Sequence, residues 1–584
     1  MPVQLHFLGA ATTVTGSQYL LETDHAKVVI DCGMFQGTPD ERVRNLVPLA
    51  YDPTSIDAML LTHAHLDHCG LIPHVVKAGF GGPIYATAGT IELAALVLLD
   101  SGRLQEEFAK REMRWELRHP DLAIEDDRKE QAQYQAAVDL AAVGEALVDS
   151  PALGPVGSLH TGEHVPTTVE PVEPVEPAAS ADASQAMPAT NAVAPATAFS
   201  GPDAETAPPS SRATASDLAP TAEADPKLDL DAALYTEQDA RAALVRFRPV
   251  RYDEESEIAP GVHARFVDAG HILGSAIIVL RVEASGSEPE QTLVFSGDLG
   301  RPGSPILRDY TAVREADYLL VETTYGGREH EPEAEAVRIL AETVRLVAQS
   351  DGVLLVPSFA IGRTQDIIYE LDRLIDQGAI PQLPLYLDSP MGSKATDVYR
   401  RHVEYYDAEA AQLQASGGTP LDYPEQIVTN DFKDSQKIAT AARPYMIVAS
   451  NGMLTGGRVI GHLRELLGDP KAVLLFVGYQ GVGTLGASLQ AGARSAKVDG
   501  QIVDVRCQVR SISGFSAHAD EPQLLAWLQN FVAGTAADGS QSRAPKRVFL
   551  VHGEPAAQAA IEPKIQALGL HTTIPRWRER ITLD

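Results

Sequence analysis

The chain has 584 residues, 44% of them hydrophobic and 22% charged, the balance of a globular protein with material for about three domains. Its 47 basic and 79 acidic side chains leave a net charge of −32, which excludes a generally basic nucleic-acid coat and argues against a membrane-surface partner. Three cysteines, Cys32, Cys69 and Cys507, provide no disulfide framework. With no basic leader at the N-terminus and no run of roughly 20 apolar residues, the expectation is a soluble protein of the reducing cytoplasm, without a membrane partner.

Short apolar runs closed by Gly, Asp or Thr predict strands at Val3–Leu8, Tyr19–Glu22, Lys27–Ile30 and Ile56–Leu61. A helix is predicted from Thr90, with Leu93, Val97, Leu104 and Phe108 on its buried face, fading near His119. Residues 151–226 then hold 13 prolines, one aromatic (Phe199) and no isoleucine, and residues 121–231 carry 20 acidic against 4 basic side chains. Such a composition cannot bury enough apolar surface to offset the entropy of ordering, so 121–235 is expected to be a disordered acidic insert, serving as a linker or an arm for an unidentified protein partner.

Beyond it, a helix is predicted at Ala240–Phe247 and strands at Ala264–Val267, Ala276–Val282, Thr292–Phe295 and Tyr318–Val321. From about Tyr325 to Phe515 helices and strands alternate, the pattern of a second α/β domain with a parallel sheet. A helix at Gln523–Phe531 and a strand at Arg547–Val551 follow.

The string LLTHAHLDHCG places His63, His65, Asp67 and His68 within six residues after an apolar strand. Imidazole with carboxylate suits Zn²⁺ or Mn²⁺ better than Ca²⁺ or Mg²⁺. Read blandly, these would be strand-end and turn residues, but four ligand types so close together rarely arise by chance. Two further strands end in ligand types, ARFVDAGHILGS at His271 and LVFSGDLGR at Asp298, the third imidazole and bridging carboxylate that a two-metal site requires. A GxGxxG string at residues 481–486 invites a dinucleotide reading, which its place at the end of a domain disfavours.

On these residues, with Asp31 in VVIDCG, the chain resembles the metallo-β-lactamase superfamily. VETTYGGR at Glu322, SGFSAHAD at His518 and FLVHGE at His552, supported by PSFAIGRTQ, DSPMG and ASNGMLTGGR, resemble motifs A, B and C of its β-CASP nucleases. The resemblance implies an αββα metallo-β-lactamase sandwich with an inserted β-CASP α/β domain. The sandwich would occupy residues 1–120, 236–325 and 516–584, and the inserted domain residues 326–515.

It further implies two divalent metal ions, zinc first and manganese second. His63, His65 and His271 would hold one, Asp67, His68 and His552 the other, with Asp298 bridging and Asp31 supporting from behind. Asp67 would also take part in catalysis, and His518, paired with Glu322, would protonate the leaving oxygen. Gly/Ser turns offer donors for the phosphate: Ser513 and Ser516 in one, Ser450, Asn451 and Gly452 in another.

In this family His at motif C marks members acting on RNA. The function implied is hydrolysis of single-stranded RNA through a hydroxide held between two cations, endonucleolytic with a 5′ exonuclease mode open, and with a homodimer as one option. A DNA nuclease of the same fold, a small-molecule hydrolase and a non-catalytic RNA-binding scaffold are the alternatives. An RNA groove would draw on Arg241, Arg246, Arg248, Arg251, Arg363, Arg458, Arg543, Lys546 and Arg547.

Overall fold

The computed structural model describes residues 2–147, 232–285, 289–481, 483–532, 534–535 and 541–584. Alternating and wholly buried apolar runs build two seven-stranded sheets that face each other. The first orders as Glu579–Leu583, Val3–Phe7, Tyr19–Glu22, Lys27–Ile30, Ala58–Leu60, Ile84–Thr87 and Phe247–Val250. The second orders as Thr572–Thr573, Arg547–Val551, Tyr318–Glu322, Gln291–Phe295, Ala276–Val282, Val262–Asp268 and Glu255–Ala259.

Between the sheets Phe7, Leu21, Ile30 and Leu60 meet Phe266, Ile278, Phe295, Leu320 and Phe549 in one apolar core. Helices Ile72–Lys77, Ala88–Glu116 and Glu237–Leu244 cover the outer face of the first sheet, and Glu521–Leu528 and Pro555–Ala567 that of the second. The result is an αββα sandwich.

The third sheet, entirely parallel, orders as Gln426–Val428, Leu385–Asp388, Tyr445–Ala449, Val353–Pro357, Ala472–Phe476 and Gln508–Ser511. Its central strands are apolar on both faces because helices Glu333–Ser350 and Arg363–Asp376 cover one and Val459–Leu466 the other.

Four sequence expectations need correction. Residues 120–145 form a helix rather than the start of a disordered insert. Composition missed it because charged side chains surround a short contact stripe: Tyr134, Ala137, Val138 and Ala141 pack with Phe35, Val43, Val47 and Trp577, and a Cβ on Gly144 would lie 1.8 Å from the Trp577 carbonyl oxygen. The Pro-rich residues 151–226 lie outside the described residues.

The preceding helix does not bury Leu104 and Phe108, which are 38% and 58% exposed, because its packed face ends at Gly102, against the backbone of Thr236. The next helix runs Glu237–Leu244, earlier than expected, since Thr236 and Asp239 form a capping box. Phe247–Val250 then extends as the edge strand of the first sheet, parallel to Ile84–Thr87. No helix among the described residues is long and apolar enough to cross a membrane.

Candidate metal centre

The site lies where strands of both sheets end. Ala58–Leu60 is wholly buried, and Leu61 and Thr62 deliver His63 into the interior at 0% exposure. Asp31 closes the parallel neighbour strand with φ 56°, a left-handed conformation that a short polar side chain tolerates. Its Oδ1 accepts the Thr62 backbone N–H at 2.8 Å, and its Oδ2 accepts from His68 Nδ1 at 2.7 Å. The turn carrying Asp67 and His68 is pinned by backbone bonds from Ser17 to the Asp67 carbonyl, 2.8 Å, and from Cys32 to the His68 carbonyl, 2.7 Å. A Cβ on Gly33 would fall 1.6 Å from that Asp67 carbonyl oxygen, so no side chain fits there.

The second sheet supplies the rest. His271 follows Val262–Asp268 through Gly270, its Nδ1 3.2 Å from the Ala517 carbonyl. Asp298 follows Gln291–Phe295, and His552 follows Arg547–Val551 with Nδ1 3.1 Å from the Thr324 hydroxyl. With the Nδ1 atoms of His68, His271 and His552 held in this way, the Nε2 atoms point into the centre.

Two ligand groups result. His65 Nδ1 lies 3.2 Å from both His63 Nε2 and His271 Nε2, while Asp298 Oδ2 is 3.3 Å from His63 Nε2 and 3.5 Å from His271 Nε2. In the second group His68 Nε2 lies 3.3 Å from His552 Nε2, and Asp67 Oδ2 lies 3.6 Å from the same His552 nitrogen. Asp298 Oδ1 reaches this group, 3.3 Å from His68 Nε2. The seven residues form two sets whose ligand atoms sit close enough for one ion each, with Asp298 facing both.

Burial drives His63 down to about 3, His65 to about 4 and His271 well below the ordinary histidine range, so these imidazoles are neutral with free lone pairs. Burial opposes charge on Asp67 and Asp298, yet the surrounding histidines hold both carboxyls below the usual range. His68 is likewise opposed by burial but raised by Asp298 and Asp31. The neutral imidazoles of His63, His65 and His271 facing ionised carboxylates are the protonation states that cation binding demands, while a cation at His68 would have to displace its proton. Asp298 Oδ1 is also buried without a hydrogen-bond partner. The donor set therefore fits two divalent cations held by nitrogen and oxygen.

Beside the cluster, His518 Nδ1 lies 3.1 Å from Glu322 Oε1 and 4.0 Å from Asp298 Oδ2. Glu322 is wholly buried and also accepts the Leu299 N–H at 2.8 Å. The phosphate donors are dispersed. Ser516 is buried near the cluster, its hydroxyl 3.3 Å from the His518 N–H. The backbone N–H groups of Ser513 and Gly514 are already taken by Glu331 Oε1, at 2.6 and 2.9 Å, which corrects the expectation that this turn offers them to phosphate.

Ser450, Asn451 and Gly452 follow the third-sheet strand Tyr445–Ala449. There Ser450 bonds the Ser389 hydroxyl at 2.5 Å, Asn451 Oδ1 accepts the Met453 N–H at 2.8 Å, and the Gly452 carbonyl accepts from Gln480 at 3.0 Å. Five of the basic residues expected to line an RNA groove are paired with carboxylates of the chain itself. Arg241 pairs with Glu237, Arg251 with Glu254, Arg363 with Asp366, Arg458 with Asp388 and Arg543 with Asp317.

Sequence reasoning passed over Thr62 and Thr324, although both stand inside the quoted strings. The Thr62 hydroxyl bonds Asp31 and lies 3.1 Å from His63 Nδ1, so it links two ligand histidines to one support. Removing that support in Asp31→Ala should weaken metal binding about 10- to 100-fold with the circular-dichroism spectrum unchanged, as measured by competition with a chelating dye.

Three family models match: metallo-β-lactamase superfamily over residues 11–127, β-CASP domain over 364–489, and Zn-dependent metallo-hydrolase RNA specificity domain over 502–535. A ribonuclease of Thermus thermophilus is 29% identical over 98% of this chain and 98% of its own length. The transcription termination factor FttA of Methanosarcina mazei is 26% identical over 94% of this chain and 67% of its own. FttA of Pyrococcus abyssi is 31% identical over 60% of this chain and 53% of its own.

Proposed function

Because the chain belongs to the β-CASP group of the metallo-β-lactamase superfamily, we propose that it is a metal-dependent ribonuclease that hydrolyses phosphodiester bonds of single-stranded RNA. Cleavage is endonucleolytic, with 5′ exonuclease action as a second mode, and zinc is the preferred ion. The observation that carries this reading is Asp298 turning one oxygen to each ligand group while His518 and Glu322 stand alongside. A lactam or thioester hydrolase has no use for that last pair. The relative named as a ribonuclease supports the choice of RNA.

His63, His65 and His271 would hold one cation, Asp67, His68 and His552 the other, and Asp298 both. Bound there, two divalent cations would act as Lewis acids toward the phosphate and lower the pKa of water from about 15.7 to about 7. The protein's own groups do the rest. Asp67, whose side chain keeps 19% exposure, accepts a hydrogen bond from the attacking water and aims it. His518, held in one orientation by Glu322, donates its proton to the leaving oxygen. The Ser516 hydroxyl offers a hydrogen bond to the charge developing on the phosphate, its backbone N–H being taken by the Ser513 carbonyl at 2.8 Å.

Incubation of metal-reconstituted protein with 5′-labelled RNA, a matched DNA strand and RNA/DNA chimeras tests the reading. Internal cuts in RNA, lost with chelator and restored by Zn²⁺ or Mn²⁺, are expected. Equal cleavage of DNA would reassign the substrate, and no cleavage with added metal would end the proposal.

A further inference from the structure

Three residues beyond Asp298 stands Arg301, a residue absent from the sequence-based list of basic candidates. Its backbone position is fixed on every side. The Leu299 N–H bonds Glu322, the Gly300 N–H bonds the Ala269 carbonyl at 2.8 Å, and Gly300 bridges His518. A Cβ on Gly300 would lie 1.9 Å from the Gly270 carbonyl oxygen, so the loop cannot shift outward without losing the loop that carries His271.

The side chain from this rigid base is 6% exposed, and its Nε is buried with no hydrogen-bond partner. Among the described residues no carboxylate lies within 4.0 Å of it. Three acidic groups stand farther off, Glu333, Asp366 and Glu370, and each is claimed by another guanidinium. Asp366 pairs with Arg363 at 2.8 Å, Glu370 with Arg373 at 2.8 Å, and Glu333 with Arg373 at 3.9 Å. Arg363, itself 5% exposed, adds like charge to the same place, and burial together with Arg363 lowers the Arg301 pKa.

A buried guanidinium is tolerated when its planar fork of donors finds an anion. His330, which feels the charges of both Arg301 and His518, donates from Nε2 to the His518 carbonyl at 3.1 Å, which ties this corner to the His518 side of the site. We propose that Arg301 is a binding residue for a backbone phosphate of the bound strand, on the side of His518 that faces the parallel-sheet domain. The planar guanidinium matches two phosphate oxygens at once, and the phosphate supplies the counter-charge that the protein withholds. The assignment rests on the nuclease reading only for the identity of the strand, since RNA and DNA share the phosphodiester.

The test compares the metal-loaded full chain with Arg301→Met and Arg301→Gln. Steady-state cleavage of a labelled RNA is measured together with anisotropy titration of a single-stranded DNA 12-mer across a salt series. The expected result is a KM for RNA raised about tenfold or more, kcat changed far less, DNA binding weakened in proportion, and the log–log salt slope reduced by about 0.7. The unfolding midpoint without nucleic acid should not fall, because no direct ion pair is lost. Folded variants with the KM, DNA affinity and salt slope of the parent would overturn the assignment. Arg301-dependent DNA binding by a chain that leaves RNA uncut would keep the phosphate subsite and sink the ribonuclease reading instead.

Discussion

Asp298→Asn is expected to lower RNA cleavage by three orders of magnitude or more, about 4 kcal/mol of barrier, in a chain whose circular-dichroism spectrum is unchanged. The substitution keeps shape and volume but removes the one carboxylate that faces both ligand groups, with Oδ2 3.3 Å from His63 Nε2 and Oδ1 3.3 Å from His68 Nε2. An amide presents one neutral oxygen and a donor nitrogen, so one group of imidazoles would meet an N–H where it needs an electron pair. Elemental analysis of the purified variant should accordingly find less than one bound ion per chain against two in the parent. A variant that retains a tenth of the parental rate with two ions bound would show that Asp298 does not bridge.

The second large effect concerns His518. Replacing it by alanine should slow turnover by about 10²–10⁴-fold, the usual share of general acid catalysis, while both ions remain bound. Its pKa is opposed by burial but raised by Glu322, Asp298 and Asp67 to about 9. If the group acts as the proposed acid, the rate should be level at neutral pH and fall as pH rises through the value at which His518 loses its proton. Cations on Asp298 and Asp67 cancel their share, which places that limb somewhat below 9 and leaves Glu322 in control of it.

Glu322→Gln should then move the alkaline limb of kcat downward by a unit or more, with the metal content intact. The same linkage bears on stability. A raised histidine pKa contributes fully below the unfolded value near 6.5 and is lost as pH climbs toward 9. A pH profile unchanged by Glu322→Gln would remove the pair from the mechanism.

The two halves of the site differed in how they could be read from the chain. His63, His65, Asp67 and His68 stand together in one string because a strand end and a single turn carry them all. His271 and Asp298 were legible only as ligand types closing apolar strands, which no local cluster supports until the second sheet folds onto the first, and resemblance brought in His552. Asp31 was noticed, but its partners were not, since a bond across 37 residues to His68 leaves no local pattern.

Arg301 was invisible for a related reason. An arginine after a Gly-rich turn reads as surface charge, and only the folded chain shows that it is buried, with the charge of Arg363 acting on it. The helix Pro120–Glu145 was lost in the acidic composition around it, because its short apolar stripe of Tyr134, Ala137, Val138 and Ala141 is outnumbered by charged neighbours. The turn at Ser513 looked like an anion cradle and is one, but Glu331 of the same chain fills it.

Strand Glu579–Leu583 lies beside Val3–Phe7, and His552 completes a group begun by Asp67. Closing such distant pairs makes the sandwich a late and slow event in folding. A nascent chain of only the first five hundred residues lacks His518 and His552, so neither the second ligand group nor the pair with Glu322 can yet be complete.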